Sequence, residues 1–243
     1  MKKILFSLGT IGVASIVLVG GTMSFFGDTE KSVGNTFSAS AIDLKVDYQC
    51  SGVDCSFSER DLVDNRPFFS EYSVTPGDSR SSAISWHVYS DNAWGRISLS
   101  SLYDWENSCG EPEEKEDSTC GDPGMEEGEF GEKLLFTFWM DEGEISGWQC
   151  STNMPACASD PGEGNKIMDG AERALLEDVS ASNIHNIGWI VLPEEIVASS
   201  TYYLGIKWSL PENEGNILQG DSVSGKITMQ VVQSEDNPDK IFP

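Results

Sequence analysis

Positive charge is what this chain has least of: 15 lysines and arginines stand against 40 aspartates and glutamates, for a formal net charge of −25. A surface of that sign repels phosphate, which excludes a nucleic-acid partner, and it disfavours anionic membrane surfaces for the same reason. Histidine is almost missing, with His87 and His185 alone. Neither is followed by a glutamate at the H-E-x-x-H spacing that sets two imidazoles and a general base on one helical face. No G-x-S-x-G element is present to raise a serine nucleophile. Long apolar runs are lacking after the first 19 residues, so the mature chain is expected to have no stable membrane span. With no catalytic motif and no cofactor signature, the chain is expected to be non-enzymatic.

What is present begins with an export signal. Lys2 and Lys3 precede an apolar stretch from Ile4 to Val19, the order that export machinery reads. The stretch is too short and too broken by glycine to predict a spanning helix, although an uncleaved N-terminal anchor is the competing reading. Thr22 and Ser24 supply the small residues required before a cleavage site, so residues 1–24 are predicted to be a signal peptide and the mature form to be secreted, at the cell surface or in an extracellular matrix. Cleavage removes two lysines and no acid, taking the net charge from −25 to −27. Self-repulsion of that size favours solubility and opposes association until salt, cations or acid relieve it.

Six cysteines fall in three close pairs: Cys50 and Cys55, Cys109 and Cys120, Cys150 and Cys157. In an exported chain the natural reading is disulfides. Fifteen connectivities are open. The three local ones are preferred because each closes its own polar loop, and spacing alone leaves crossed pairings standing. Zinc is the rival, weakened by the lack of any CxxC pair.

Period-2 alternation marks strands along the whole mature chain. It runs through "AIDLKVDY" with Ile42, Leu44, Val46 and Tyr48, and through "SAISWHVYS" with Ile84, Trp86 and Val88. "KLLFTFWM" is apolar at nearly every position, as in a strand covered on both faces. "GWIVL", "TYYLGIKWSL" and "SVSGKITMQVVQ" continue the series, with Gly225 marking a bulge in the last. Helices are expected in "KIMDGAERALLEDV" and in "PEEIVASS", which opens on Pro193. Strands outnumber helices, so residues 37–243 are predicted to form one all-β domain, an antiparallel β-sandwich with short helical and disulfide-closed loop insertions. Two polar insertions stand out. Residues 104–132 hold twelve acids and one lysine and are expected to be a surface loop that binds cations diffusely. Residues 146–165 carry the last cysteine pair.

Three stretches resemble one family. "MKKILFSLGTIGVASIVLVGGTMSFFGDTEKSVGNTFSASAIDLKVD", "VTPGDSRSSAISWHVYSDNAWGRISLS" and "YYLGIKWSLPENEGNILQGDSVSGKITMQVVQ" are similar to segments of the TasA and camelysin-like secreted proteins, which are processed by a SipW-type signal peptidase. The resemblance implies a jelly-roll-like sandwich and, through TasA, subunits of an extracellular fibre or biofilm matrix joined by donated strands, with the chain itself or related matrix subunits as partner. Residues 25–36 would then be a flexible N-terminal donor segment, with Phe25, Phe26 and Phe37 as apolar anchors. The bland alternative is a disordered tail ahead of an ordinary first strand. "FWMDEGE" resembles an aspartate-rich stretch of that family, which makes Asp141, Glu142 and Glu144 a candidate weak calcium site, set against a solvated turn. Camelysin-like proteins have been described as metalloproteases, a reading the histidine spacing disfavours. A second function class is a monomeric cell-surface adhesin or glycan-binding module on the same fold. Trp105 and Trp148, in or beside loops, would be its sugar-stacking pair, while most of the tryptophans, at alternating strand positions, fill the core.

Overall fold

The computed structural model describes residues 27–31, 43–49, 61, 67–143, 162–170 and 172–243. The predicted signal peptide, Phe25, Phe26, Phe37, Glu144, Trp148 and the cysteines at 50, 55, 150 and 157 lie outside them. Nine strands are present among the described residues: β1 (Gly27–Lys31), β2 (Asp43–Gln49), β3 (Ser79–Tyr89), β4 (Ala93–Trp105), β5 (Leu135–Met140), β6 (Ala174–Ser180), β7 (Trp189–Val191), β8 (Thr201–Ser209) and β9 (Ser222–Gln233). Two helices join them, α1 (Phe130–Lys133) and α2 (Ala181–Ile187). One sheet has the order β1-β9-β4-β7 and the other β2-β3-β8-β5-β6. Every pairing is antiparallel.

The pairs are nested. β5 meets β6, β4 meets β7, β3 meets β8 and β1 meets β9, so the chain is one long hairpin wound across two sheets, with β2 added at the outer edge of β3. That is the jelly-roll order of an all-β sandwich. Its core lies between the sheets, where Ile84, Trp86, Ile97, Leu204, Met229 and Val231 are sealed from solvent. The alternation predicted for β2, β3, β8 and β9 is the reason these segments can face a common interior. No helix among the described residues is long and apolar enough to cross a membrane.

The bulge expected at Gly225 is there. The β4–β9 register passes from Ser100↔Lys226 to Tyr103↔Ser224, so Ser101 and Leu102 together face Gly225, and Ser101 takes a φ of 49°. A Cβ on Gly225 would stand 2.9 Å from Leu99 Cδ1. Both predicted helices are absent. The last six residues of "KIMDGAERALLEDV" belong to β6, because β5 is apolar on both faces and needs a strand at its open edge. Leu175, Leu176 and Val179 pack partly buried on the core, worth on the order of 1 kcal/mol each, whereas helix propensity differs by only tenths of a kcal/mol per residue. A local break at Asp178, with φ 48°, is tied down where Thr137 Oγ1 donates to Asp178 Oδ1 at 3.2 Å. "PEEIVASS" is irregular because Ile196 exchanges both backbone hydrogen bonds with Ala93 and is buried. The helix that does form, α2, follows a Ser180 cap whose Oγ accepts from Asn183 N at 3.3 Å, and it stops at Gly188 with φ 79°.

Gly205 of β8 lies beneath the indole of Trp139, which is buried on β5, and a Cβ there would overlap the ring. Replacing Gly205 by Ala is expected to cost about 1–3 kcal/mol or more and to lower Tm, measured by thermal denaturation. An unchanged Tm would show that the indole is free to move aside.

Candidate assembly edge and carboxylate cluster

Residues 27–31, inside the segment expected to be flexible, form β1 on the outer edge of β9 in the same chain, from Gly27↔Val232 to Lys31↔Thr228. β1 is five residues long and β9 twelve. Among the described residues, no strand pairs with β9 on that side over positions 222–227. Beneath this stretch an apolar cleft of about 290 Å³ opens between the sheets, walled by Phe68, Leu99, Phe136, Val223 and Ile227. Among the described residues, β1 thus covers less than half of this edge, and the remainder borders an apolar hollow.

The predicted calcium residues have separate fates. Asp141 is fully buried, and its Oδ2 accepts from Lys166 N at 2.9 Å while its backbone oxygen accepts from Gly164 N at 3.3 Å. It organises the turn at 162–166. Glu142 is half-buried beside it. Among the described residues, Asp141 belongs to no group of three or more side chains whose ligand atoms lie within 4.8 Å of one another. Of the two predicted sugar-stacking residues, Trp105 is 39% exposed at the end of β4. Trp189, on a predicted strand, is 37% exposed, and Arg96 lies over its ring at 4.0 Å from the centroid and over Phe242 at 4.3 Å. Buried His87 has both ring nitrogens in hydrogen bonds, to Ser85 at 2.8 Å and Thr201 at 3.3 Å. It is a satisfied strand residue. His185 Nδ1 sits 3.4 Å from the Leu99 carbonyl.

Residues 104–132 depart furthest from expectation, for the insertion is packed rather than solvated. Cys109 and Cys120 are disulfide-bonded as predicted. Around the bridge, Asp104, Glu106, Glu113 and Asp117 are buried, with Glu106 only 2% exposed and Glu113 sealed completely. Glu129, just before α1, and Asp221, just before β9, turn toward the same region, and carboxylate oxygens of Glu106, Glu129 and Asp221 lie within 4.8 Å of one another. Density of acid was legible in the sequence. The convergence was not, since Asp221 is 92 residues from Glu129 and meets it only through the fold, where Glu129 N donates to Asp221 Oδ2 at 2.8 Å.

Burial dominates the electrostatics of these groups. It lifts Asp104, Glu106 and Glu129 to about 7, helped by facing carboxylates, and it raises Glu113 and Asp221 in the same direction. Asp141 rises to about 6 and Glu172 to about 7 from the same cause, held back by backbone N–H donors.

No protein-family model matches this chain, and no curated protein matches it.

Each raised carboxyl holds in the folded state a proton that the unfolded state has already released. Its contribution to stability is therefore complete below its unfolded pKa of about 4 and is lost as pH rises to about 7. In chelator, the urea midpoint should be higher at pH 5 than at pH 8. A midpoint that rises over this interval would mean that these carboxyls are solvated in solution.

Proposed function

We propose that this is a secreted structural protein, a TasA-like subunit of an extracellular fibre or matrix, in which the leading segment of one copy adds as a strand to the β9 edge of the next. The observation that carries this reading is the mismatch between a five-residue β1 and a twelve-residue β9. A leading segment continued in the β1 register as far as Phe37 would match β9 along its whole length, with Phe26 opposite Gln233 and Phe37 opposite Ser222. Such strand addition gains main-chain hydrogen bonds along the edge, and side chains entering the neighbouring cleft would set register.

Pairing of β1 with its own β9 fits the same scheme. An exposed edge strand is an aggregation hazard, and a short strand in cis protects it until a longer one in trans displaces it. Exchange of identical contacts between copies costs little, because every bond broken in cis is remade in trans. β1 and β9 are the outermost pair of the nested hairpin, and among the described residues β1 takes no other strand partner, so opening it leaves the remaining ladders whole. Removal of the signal peptide would free the segment only after export, which keeps the exchange out of the cell.

Electron microscopy of the mature chain beside a form lacking residues 25–36 tests the proposal. Filaments are expected from the first alone, and filaments from both or from neither would refute it. A Thr29→Cys, Gln230→Cys pair, at directly opposed positions of β1 and β9, should cross-link within the chain in monomer fractions and between chains in filaments. With a net charge of −27 after cleavage, assembly is further expected to require salt, divalent cations or acid pH. Turbidity that stays flat across those conditions would count against it.

A further inference from the structure

Six carboxylates, five from the packed insertion and Asp221 from the β8–β9 connection, share one pattern: one oxygen lies within reach of a protein donor and the other is buried with no donor facing it. Asp104 Oδ2 accepts from Gly131 N, Glu106 Oε1 from Ser108 N, Glu113 Oε2 from Gly110 N, and Asp221 Oδ2 from Glu129 N. Thr119 gives its amide and hydroxyl to Asp117 Oδ1, and that hydroxyl is 3.2 Å from Glu129 Oε1. The six oxygens left over, Asp104 Oδ1, Glu106 Oε2, Glu113 Oε1, Asp117 Oδ2, Glu129 Oε2 and Asp221 Oδ1, are buried with no N–H or O–H donor, and the Asp221 carboxyl faces those of Glu106 and Glu129 within hydrogen-bond reach. Three of the side chains involved, Glu106, Glu113 and Asp117, are more than nine-tenths buried. None of the ion pairs among the described residues involves any of the six.

We propose that this cluster is a calcium site, with Glu106, Glu129 and Asp221 as ligands to one Ca²⁺ ion and Glu113 and Asp117 closing around it. Uncompensated buried charges cost several kcal/mol each, so the group must be neutralised, by protons or by a cation. The held oxygens favour the cation, because backbone N–H groups donating to a carboxylate stabilise its charged form and orient it as outer-shell donors orient metal ligands. The donor set is all oxygen. Cys109 and Cys120 are spent on their disulfide, and neither histidine belongs to a group able to hold an ion with these residues, which argues against zinc. Mg²⁺ keeps most of its water and demands a strict octahedron, whereas Ca²⁺ accepts carboxylates arriving irregularly from loops.

Bound there, the ion ties three parts of the chain. Glu106 stands at the exit of β4, Glu129 at the entrance to α1 and Asp221 one residue before β9. The disulfide closes the insertion on itself, and the ion fastens it to the β8–β9 connection. Glu116 is a lesser tie between the same parts, accepting from Asn216 N at 2.8 Å. This proposal does not depend on fibre formation.

Isothermal titration of the mature, metal-stripped chain with CaCl₂ at pH 7.5 tests it, alongside thermal melts in CaCl₂, MgCl₂ and chelator. One saturable calcium site is expected, with Tm raised about 5–10 °C at a hundredfold excess over Kd and a smaller rise in Mg²⁺. Glu106→Gln and Asp221→Asn keep the oxygen that accepts from the backbone, and each should abolish binding while leaving the near-UV circular dichroism in chelator unchanged. Should either variant fail to fold, terbium emission sensitised by excitation of tryptophan, Trp105 adjoining Glu106, reports the site in the unmodified protein and should be quenched by added CaCl₂. Melts identical in CaCl₂ and chelator would overturn the proposal. So would calcium uptake that never saturates, or that is the same in Glu106→Gln as in the unmodified chain, either of which would mark a diffuse ion atmosphere.

Discussion

The antiparallel ladder between β4 and β9 is the constraint on which the rest of the molecule depends. It joins the thirteen-residue strand of the first half to the twelve-residue strand that ends the sheet structure. β7 and β1 are each hung from one of its two members. Its inward residues Ile97, Met229 and Val231 form one wall of the core. The bulge opposite Gly225 interrupts it once, where Leu99 and Leu102 close over the missing side chain. Because the paired segments lie more than a hundred residues apart, their meeting costs loop entropy that only the completed core returns.

Both candidate sites border that ladder. At one end, β4 runs out into the acidic insertion and β9 begins after Asp221, so carboxylates distant in sequence are delivered to one place. Along its outer side, β9 offers more edge than β1 covers. The nested hairpin explains both features: the last strand must be long enough to reach across β4, and the first strand is the outermost and least anchored of the pairs. An ion fixed at the start of β9 would act on the same strand whose edge is the proposed receiver, without either property requiring the other.

Charge is organised more finely than a net value of −25 conveys. Among the described residues most acids are solvated, but a minority are buried in groups and held by backbone donors, and burial, with like-charge crowding behind it, lifts their proton affinity. The insertion at 104–132 has the composition of a disordered segment, poor in apolar residues and rich in glycine and acid. It is ordered because the Cys109–Cys120 bridge, backbone capping by its own carboxylates and contact with the 216–221 connection replace the apolar burial it lacks.

By itself the sequence determined the all-β class and most strand positions and favoured the Cys109–Cys120 bridge, because alternation, turn residues and close cysteine spacing act over short stretches of chain. It also held the signals for α2, a serine cap and a terminal glycine, fainter than those of the more helix-like run whose end is β6. Tertiary structure alone decided that run, since the open edge of β5 outweighs local helix preference. It alone placed Trp189 at the surface under Arg96, and it alone gathered Glu106, Glu129 and Asp221. Those outcomes depend on which distant segments meet, and distance along a chain carries no record of distance in space until the core has formed.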